Sequence, residues 1–467
     1  MQNYDIIIAG AGAAGVFLSY EMTKLGTDAK VLMIDKGREV ANRKCPIKEG
    51  KTETCLRCNP CHIMNGYGGA GTLSDGKYNI TTNFGGDLHH YVGVDKAMEL
   101  MEYVDSVLCE IDAKNGGSPA KLYSTGDSDL RTIALRNNLK LLDAKVRHFG
   151  TDRNIQILQR MYEESRDTVE MHFGELISEI ERREGEYRFL VKTDKGEYAC
   201  RDLVLATGRS GSKWIGKVCD SLGVSQHSTR VDIGVRVELP AEIFKHITDE
   251  VYESKLVYKT DKYNDMVRTF CMNPYGEVVT ENTNGIVTVN GHSYADPKLR
   301  TENTNFALLV SNHFTEPFDD SNEYGESIAR LSNMLGGGVL LQRFGDLIKG
   351  RRSSERRMQK CFTRPTLSAT PGDLSLVMPK RQLDDIIEMI YALDKIAPGT
   401  ANEDTLLYGV EVKFYNSVVE VDEKLETGVE GLYALGDGSG VTHSLSQASA
   451  SGVHVARILN GKYGQRH

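Results

Sequence analysis

Gly10-Ala11-Gly12-Ala13-Ala14-Gly15 follows an apolar run and opens a stretch of helical composition. In that setting the Gly-x-Gly-x-x-Gly spacing has a definite chemical use. The first glycine makes a tight turn, the second lets backbone approach a pyrophosphate, and the third lets helix and strand pack closely, while the helix N-terminus favours negative charge. Asp35 stands 20 residues after Gly15, where a carboxylate accepts hydrogen bonds from an adenosine ribose. Gly10, Gly12, Ala13, Ala14, Gly15, Asp35 and the adjoining Lys36 are therefore expected to hold an adenine dinucleotide. The pattern alone does not choose between NAD and FAD.

Thiols form the second constellation. Cys55, Cys58 and Cys61 are spaced Cys-x2-Cys-x2-Cys, and Cys45 precedes them. Soft sulfur ligands at this spacing suit a 4Fe–4S cluster or zinc, with Cys45 as the fourth ligand and His62 as its substitute in a zinc site. A redox pair and unligated thiols are the other open readings. Cys271 is isolated in sequence; it reads first as a small buried hydrophobe and is kept as a catalytic candidate. His443, just before the last helical stretch, is a candidate acid or base. Lys349, Arg351, Arg352, Arg356, Arg357 and Lys360 form a dense basic run. It suits a solvated helix face, or a dock for an acidic electron carrier or anionic substrate.

These groups need elements to position them. Residues 4–9 read as a buried parallel strand, 13–25 as a helix and 30–34 as a second strand, half of a nucleotide-binding α/β unit. Helical stretches are expected near 95–111 and 154–167, and strands at 169–173 and 202–206. Between 216 and 425 the texture changes to alternating stretches such as 233–238 and 269–279; segments 431–435 and 444–459 return to the earlier pattern. The expected fold is α/β: a discontinuous Rossmann-like dinucleotide-binding domain at 1–215 and 426–467, with the Cys-rich segment at 45–61. An α+β substrate domain on a largely antiparallel sheet is inserted at 216–425.

Two further segments favour FAD. Val204-Leu205-Ala206-Thr207-Gly208-Arg209 resembles the strand-end Ala-Thr-Gly motif of flavoproteins built like glutathione reductase, and Gly431-Leu432-Tyr433-Ala434-Leu435-Gly436-Asp437-Gly438 resembles their late Gly-Asp motif. The resemblance implies that Ala206, Thr207, Gly208 and Gly436 line FAD, that Asp437 bonds its ribityl chain, and that Leu176 meets adenine through backbone. The helix from 444 would aim its N-terminus, with Gln447 and Ala448, at the pyrimidine side of the flavin. Together with the segments 68–77, 232–238, 270–274 and 370–374, the chain resembles along its whole length a family of bacterial FAD-dependent dehydrogenases. The glycine-rich loop 68–76 suits backbone packed on a flat ring, placing Gly69, Gly71, Thr72 and Ser74 at the cofactor; Lys77 is open between a catalytic support for anionic reduced flavin and a solvated lysine.

With 467 residues, 40% hydrophobic and 26% charged, the chain is long enough for at least two cores and is not a disordered or disulfide-scaffold sequence. A net charge of −9 argues against coating nucleic acid. No apolar stretch reaches the ~20 residues of a membrane span, and no basic region precedes residue 6, so a cytoplasmic location is expected. The reading is an FAD-dependent oxidoreductase acting on a small molecule, fed by substrate, transient NAD(P)H or a carrier. Its alternatives are a thiol, disulfide or sulfur-species reductase using the cysteines, and an electron-transfer partner without small-molecule turnover.

Overall fold

Three consecutive isoleucines set the centre of the first sheet. In β1 (Gln2–Ala9), Ile6 and Ile8 enter one apolar core, and Ile7 and Ala9 enter another on the opposite face. A strand buried on both faces reads as a continuous apolar run, and parallel sheets covered by helices demand it. The computed structural model describes all residues except 1, 47–48, 52–55, 57, 75, 127, 228–229, 252, 284, 295–296, 315–316, 319 and 465–467. The chain forms two units: Met1–Leu122, Lys145–His227 and Asn416–His467 make the first, Tyr123–Ala144 and Ser228–Tyr415 the second.

After β1 come α1 (Ala13–Lys24) and β2 (Val31–Asp35). Next in the first unit are α2 (Val94–Lys114), α3 (Thr151–Ser165), β3 (Val169–Phe173), β4 (Ile177–Arg182), β5 (Phe189–Thr193) and β6 (Glu197–Leu205). α2 buries Ala97, Leu100, Met101, Val104, Leu108 and Ile111, a helical stripe that packs into the core of Ile6 and Ile8. β6 runs parallel to β1 from end to end, while its first half also pairs antiparallel with β5, and β5 with β4.

The second unit is built on β7 (Arg230–Pro240). It continues with β8 (Leu256–Lys259), β9 (Met266–Asn273), β10 (Glu277–Thr283), β11 (Ile286–His292), β12 (Asn303–His313), α4 (Ser321–Gly336), β13 (Leu340–Arg343), α5 (Lys380–Asp394) and β14 (Leu406–Lys413). Its main sheet has the order Thr370–Pro371, β13, β14, β7, β12, β9, β8 and Leu139–Leu141, antiparallel throughout except where Thr370–Pro371 meets β13. β10 and β11 form a separate hairpin. On β7 the odd positions Val231, Ile233, Val235, Val237 and Leu239 join a core with Ile386, Met389 and Ile390 of α5, and the even positions carry Arg230, Asp232, Arg236 and Glu238.

The chain then returns to the first unit with β15 (Leu432–Ala434) and α6 (Leu445–Tyr463). β15 pairs in parallel with the second half of β6, so the parallel strands lie in the order β3, β2, β1, β6, β15. Two expectations need correction. Residues 123–144 fall in the second unit, because Leu139–Leu141 pairs with β8. Segments 216–227 and 416–425 belong to the first, since Val218 and Cys219 pack in its core and Gln226–His227 pairs with Val418–Val419. The alternating stretch 269–279 spans two strands, β9 and β10, divided at Pro274 and Tyr275, where Tyr275 has a φ of +53°. Among the described residues, no helix is long and apolar enough to cross a membrane.

Candidate functional site

The three glycines of the β1–α1 turn and the first turn of α1 are there for different reasons. Gly10 has a φ of +108°, and a Cβ on it would lie 2.9 Å from the Ala206 carbonyl oxygen. A Cβ on Gly15 would lie 2.2 Å from the Gly10 carbonyl oxygen, so turn and helix touch only without a side chain. Gly12 meets neither constraint. Its φ is −70°, open to any residue, and its Cβ would find the Ala206 carbonyl oxygen at an ordinary 3.5 Å. Glycine here leaves room that the packing of the described protein does not require. α1 starts at this point with no side-chain cap and no acidic residue in its first turn, so its N–H groups and dipole are presented to an anion.

Asp35 closes β2 against the same turn, accepting from the Ala11 N–H at 2.9 Å and the Gly37 N–H at 2.6 Å. A carboxylate offers about four lone-pair sites, so capacity remains for ribose hydroxyls. The glycine-rich loop packs on the turn as well: the Gly68 N–H donates to the Ala11 carbonyl at 2.7 Å, and a Cβ on Gly69 would come within 3.1 Å of Gly12 Cα. Gly71 abuts Leu445, Thr72 is buried, and the Ser74 hydroxyl turns back to the Gly71 carbonyl at 2.7 Å. Two residues that the sequence reading passed over hold this loop. Asn154 of α3 donates to the Gly71 carbonyl at 2.8 Å. Arg43 donates to the carbonyls of His62, Ile63 and Tyr67 and to the Thr72 hydroxyl, at 2.6–3.0 Å. Burial pulls the Arg43 guanidinium down to about 10. No local spacing announces either residue.

At the end of β6 the Ala206 N–H donates to the Ala9 carbonyl, and the Thr207 carbonyl accepts from the Gly438 N–H at 3.0 Å. This brings 206–208 beside the late turn, while a Cβ on Gly208 would meet nothing within 4 Å. Gly436 has a φ of +76°, and Asp437 Oδ1 lies 3.1 Å from His443 Nδ1. Among the described residues, Thr207 Oγ1, Thr442 Oγ1 and Ser446 Oγ are buried without a hydrogen-bond partner, as groups in a ligand cradle would be. Fingerprint turn, Asp35, glycine loop, 206–208 and late turn thus interlock within the first unit, and their donors suit the phosphates and sugars of a dinucleotide.

Several expected contacts are engaged elsewhere. The Gln447 amide braces loop 81–88, donating to the Thr81 and Phe84 carbonyls and accepting from the Leu88 N–H, each at 3.2 Å; Ala448 lies in the first turn of α6. The backbone of Leu176 pairs on both sides with Asp194, so a backbone contact to adenine would have to displace it. Lys77 opens the strand Lys77–Ile80, opposite His148. Cys45, Cys58 and Cys61 are free thiols, Cys55 lies outside the described residues, and no metal-holding group of three or more His, Cys, Asp or Glu occurs among those described. In the basic run, Arg351 and Arg357 both bond buried Asp346 and Lys349 bonds Glu403, so half of it ties the second unit together.

Cys271 belongs to the second unit and has a φ of +46° at a register shift in β9. Its carbonyl accepts from Arg236 Nη1 at 3.1 Å and Asn273 Nδ2 at 2.9 Å. Wholly buried Arg236 also grips Glu411 through Nε and Nη2, at 2.7 and 2.8 Å. Backbone held in this sparsely populated region by a buried network is over-determined by its surroundings.

Residues 230–414 match one family model, FAD-dependent protein, C-terminal domain-like. The match spans β7 to β14, within the second unit. No curated protein matches the chain. Solved structures similar to it include glycine oxidase from Geobacillus kaustophilus, at 10% identity over 99% of this chain and 95% of that one, with a TM-score of 0.42. L-proline dehydrogenase from P. horikoshii is similar at 14% identity, 99% and 95% coverage and a TM-score of 0.39. E. coli quinol fumarate reductase FrdA is similar at 13% identity, 100% and 72% coverage and a TM-score of 0.43. Likeness at this level assigns no chemistry to the chain.

Proposed function

We propose that the chain is an FAD-dependent oxidoreductase whose first unit holds the ADP half of FAD at the β1–α1 turn in a Rossmann-like arrangement. The observation that carries this reading is the room kept at Gly12 beside an uncapped helix N-terminus. The family matched by residues 230–414 supports FAD rather than NAD. In this reading Gly12 and the first turn of α1 receive the pyrophosphate, Asp35 accepts from the adenosine ribose, and the unpartnered Thr207, Thr442 and Ser446 hydroxyls bond the remainder. Bound FAD supplies the electron or hydride chemistry with a small-molecule substrate. Asp437 fixes the His443 ring through Nδ1, which sets Nε2 as the nitrogen that would hold or move a proton.

Gly12→Ala tests the reading. It should leave the melting temperature of flavin-free protein unchanged and weaken FAD binding at least tenfold, because the new methyl enters ligand space alone. Unaltered FAD affinity in a folded Gly12→Ala protein would overturn it.

A further inference from the structure

The even-numbered face of β7 is ionic along its length. Around Arg236 and Glu238 every charge is answered inside the unit: Arg236 by Glu411 and Asn305, and Glu238 by Tyr408, Asn303 and Thr366. The hairpin lies directly over this half, since a Cβ on Gly291 would come within 2.3 Å of Arg236 Nη1. The other half, around Asp232, gathers cations on aromatic rings. Lys255 Nζ and Lys413 Nζ each stand 4.4 Å from the centre of the Phe270 ring, and Arg268 Cζ stands 5.1 Å from it. Lys413 Nζ and Arg230 Cζ each stand 4.8 Å from the Tyr415 ring.

Asp232 is the fixed counterion of this group. It is fully buried, accepts from Ser311 and Tyr415 at 2.7 Å and from Arg268, and lies 4.0 Å from Arg230 Nε. Glu253 accepts from Lys255 at 2.7 Å. Arg230, Arg268, Phe270 and Lys413 nevertheless stay only partly buried, so solvent reaches the cationic side. Four cations brought together on one sheet face raise the local potential, and an incoming anion lowers it.

We propose that the Phe270–Tyr415 cluster binds the carboxylate of an anionic substrate, with Lys413 and Arg230 as its contacts and Asp232 as the group that positions Arg268. Calling the ligand a substrate rests on the oxidoreductase reading above; the anion site itself does not.

The test is calorimetric titration of the FAD-loaded chain with acetate, succinate and benzoate, each beside its amide. At least one carboxylate should bind, with its amide at least tenfold weaker. Lys413→Gln and Arg230→Gln should each weaken the carboxylate severalfold and together abolish it, Lys413→Arg should restore it, and the exposed Lys395→Gln should leave it unchanged. Absence of binding by all three carboxylates, or binding that survives the double variant, would refute the site. An intact flavin spectrum without carboxylate binding removes this inference alone. A wild-type chain that takes up no flavin removes the oxidoreductase reading, and the same titration on that chain still decides the anion site.

Discussion

Single residues separate structural from ligand-facing roles within one motif. Gly15→Ala forces a methyl against the Gly10 carbonyl, and overpacking of this kind costs about 1–3 kcal/mol or more. Its melting temperature should fall even without cofactor, which Gly12→Ala should not show. Arg236→Met leaves Glu411 buried without its cation, a loss of about 3–5 kcal/mol measurable by urea unfolding. Asp385 is wholly buried on α5, and burial pushes it up to about 6, with Asp265 adding to the effect. A raised carboxyl supports folding below its unfolded value near 3.8 and withdraws that support as pH rises through 6. Asp385→Asn should therefore gain up to about 3 kcal/mol over wild type at pH 8 and little at pH 4. The glycines and Asp35 were legible because their chemistry follows from spacing. Arg43 and Asn154 were not, since each meets the glycine loop across a separation set by the fold.

Elements were legible where periodicity runs long. β1, α1 and β2 announce themselves through a buried β-branched run, a glycine turn and a second apolar run. Leu139–Leu141 is three residues and carries no period, so its pairing with β8, and with it the place of 123–144, could not be read. The break between β9 and β10 rests on positive φ at non-glycine residues, which propensity does not foresee. The crossing of α1 and α6 offers a test at this scale. A Cβ on Gly452 would lie 2.1 Å from the Ala14 carbonyl oxygen, so the two helices meet through a glycine. Gly452→Ala should shift α1 and lower melting temperature and FAD affinity together, where Gly12→Ala lowers affinity alone.

At the scale of the molecule, each unit has its own apolar cores, and the single tryptophan, Trp214, sits in the first. Its emission therefore follows the unit assigned to FAD. The general two-part plan was legible from the change of texture after residue 216, while the exact division required strand pairing. A ligand at a hundred times its Kd stabilises the state that binds it by about 2.7 kcal/mol, so FAD should move the Trp214 unfolding transition upward. The most direct measurement is equilibrium titration of flavin-free chain with FAD and, separately, with NAD+, followed by Trp214 emission and flavin fluorescence. One FAD per chain, bound at least a hundredfold more tightly than NAD+, is the predicted result; no FAD uptake, or a preference for NAD+, would contradict it.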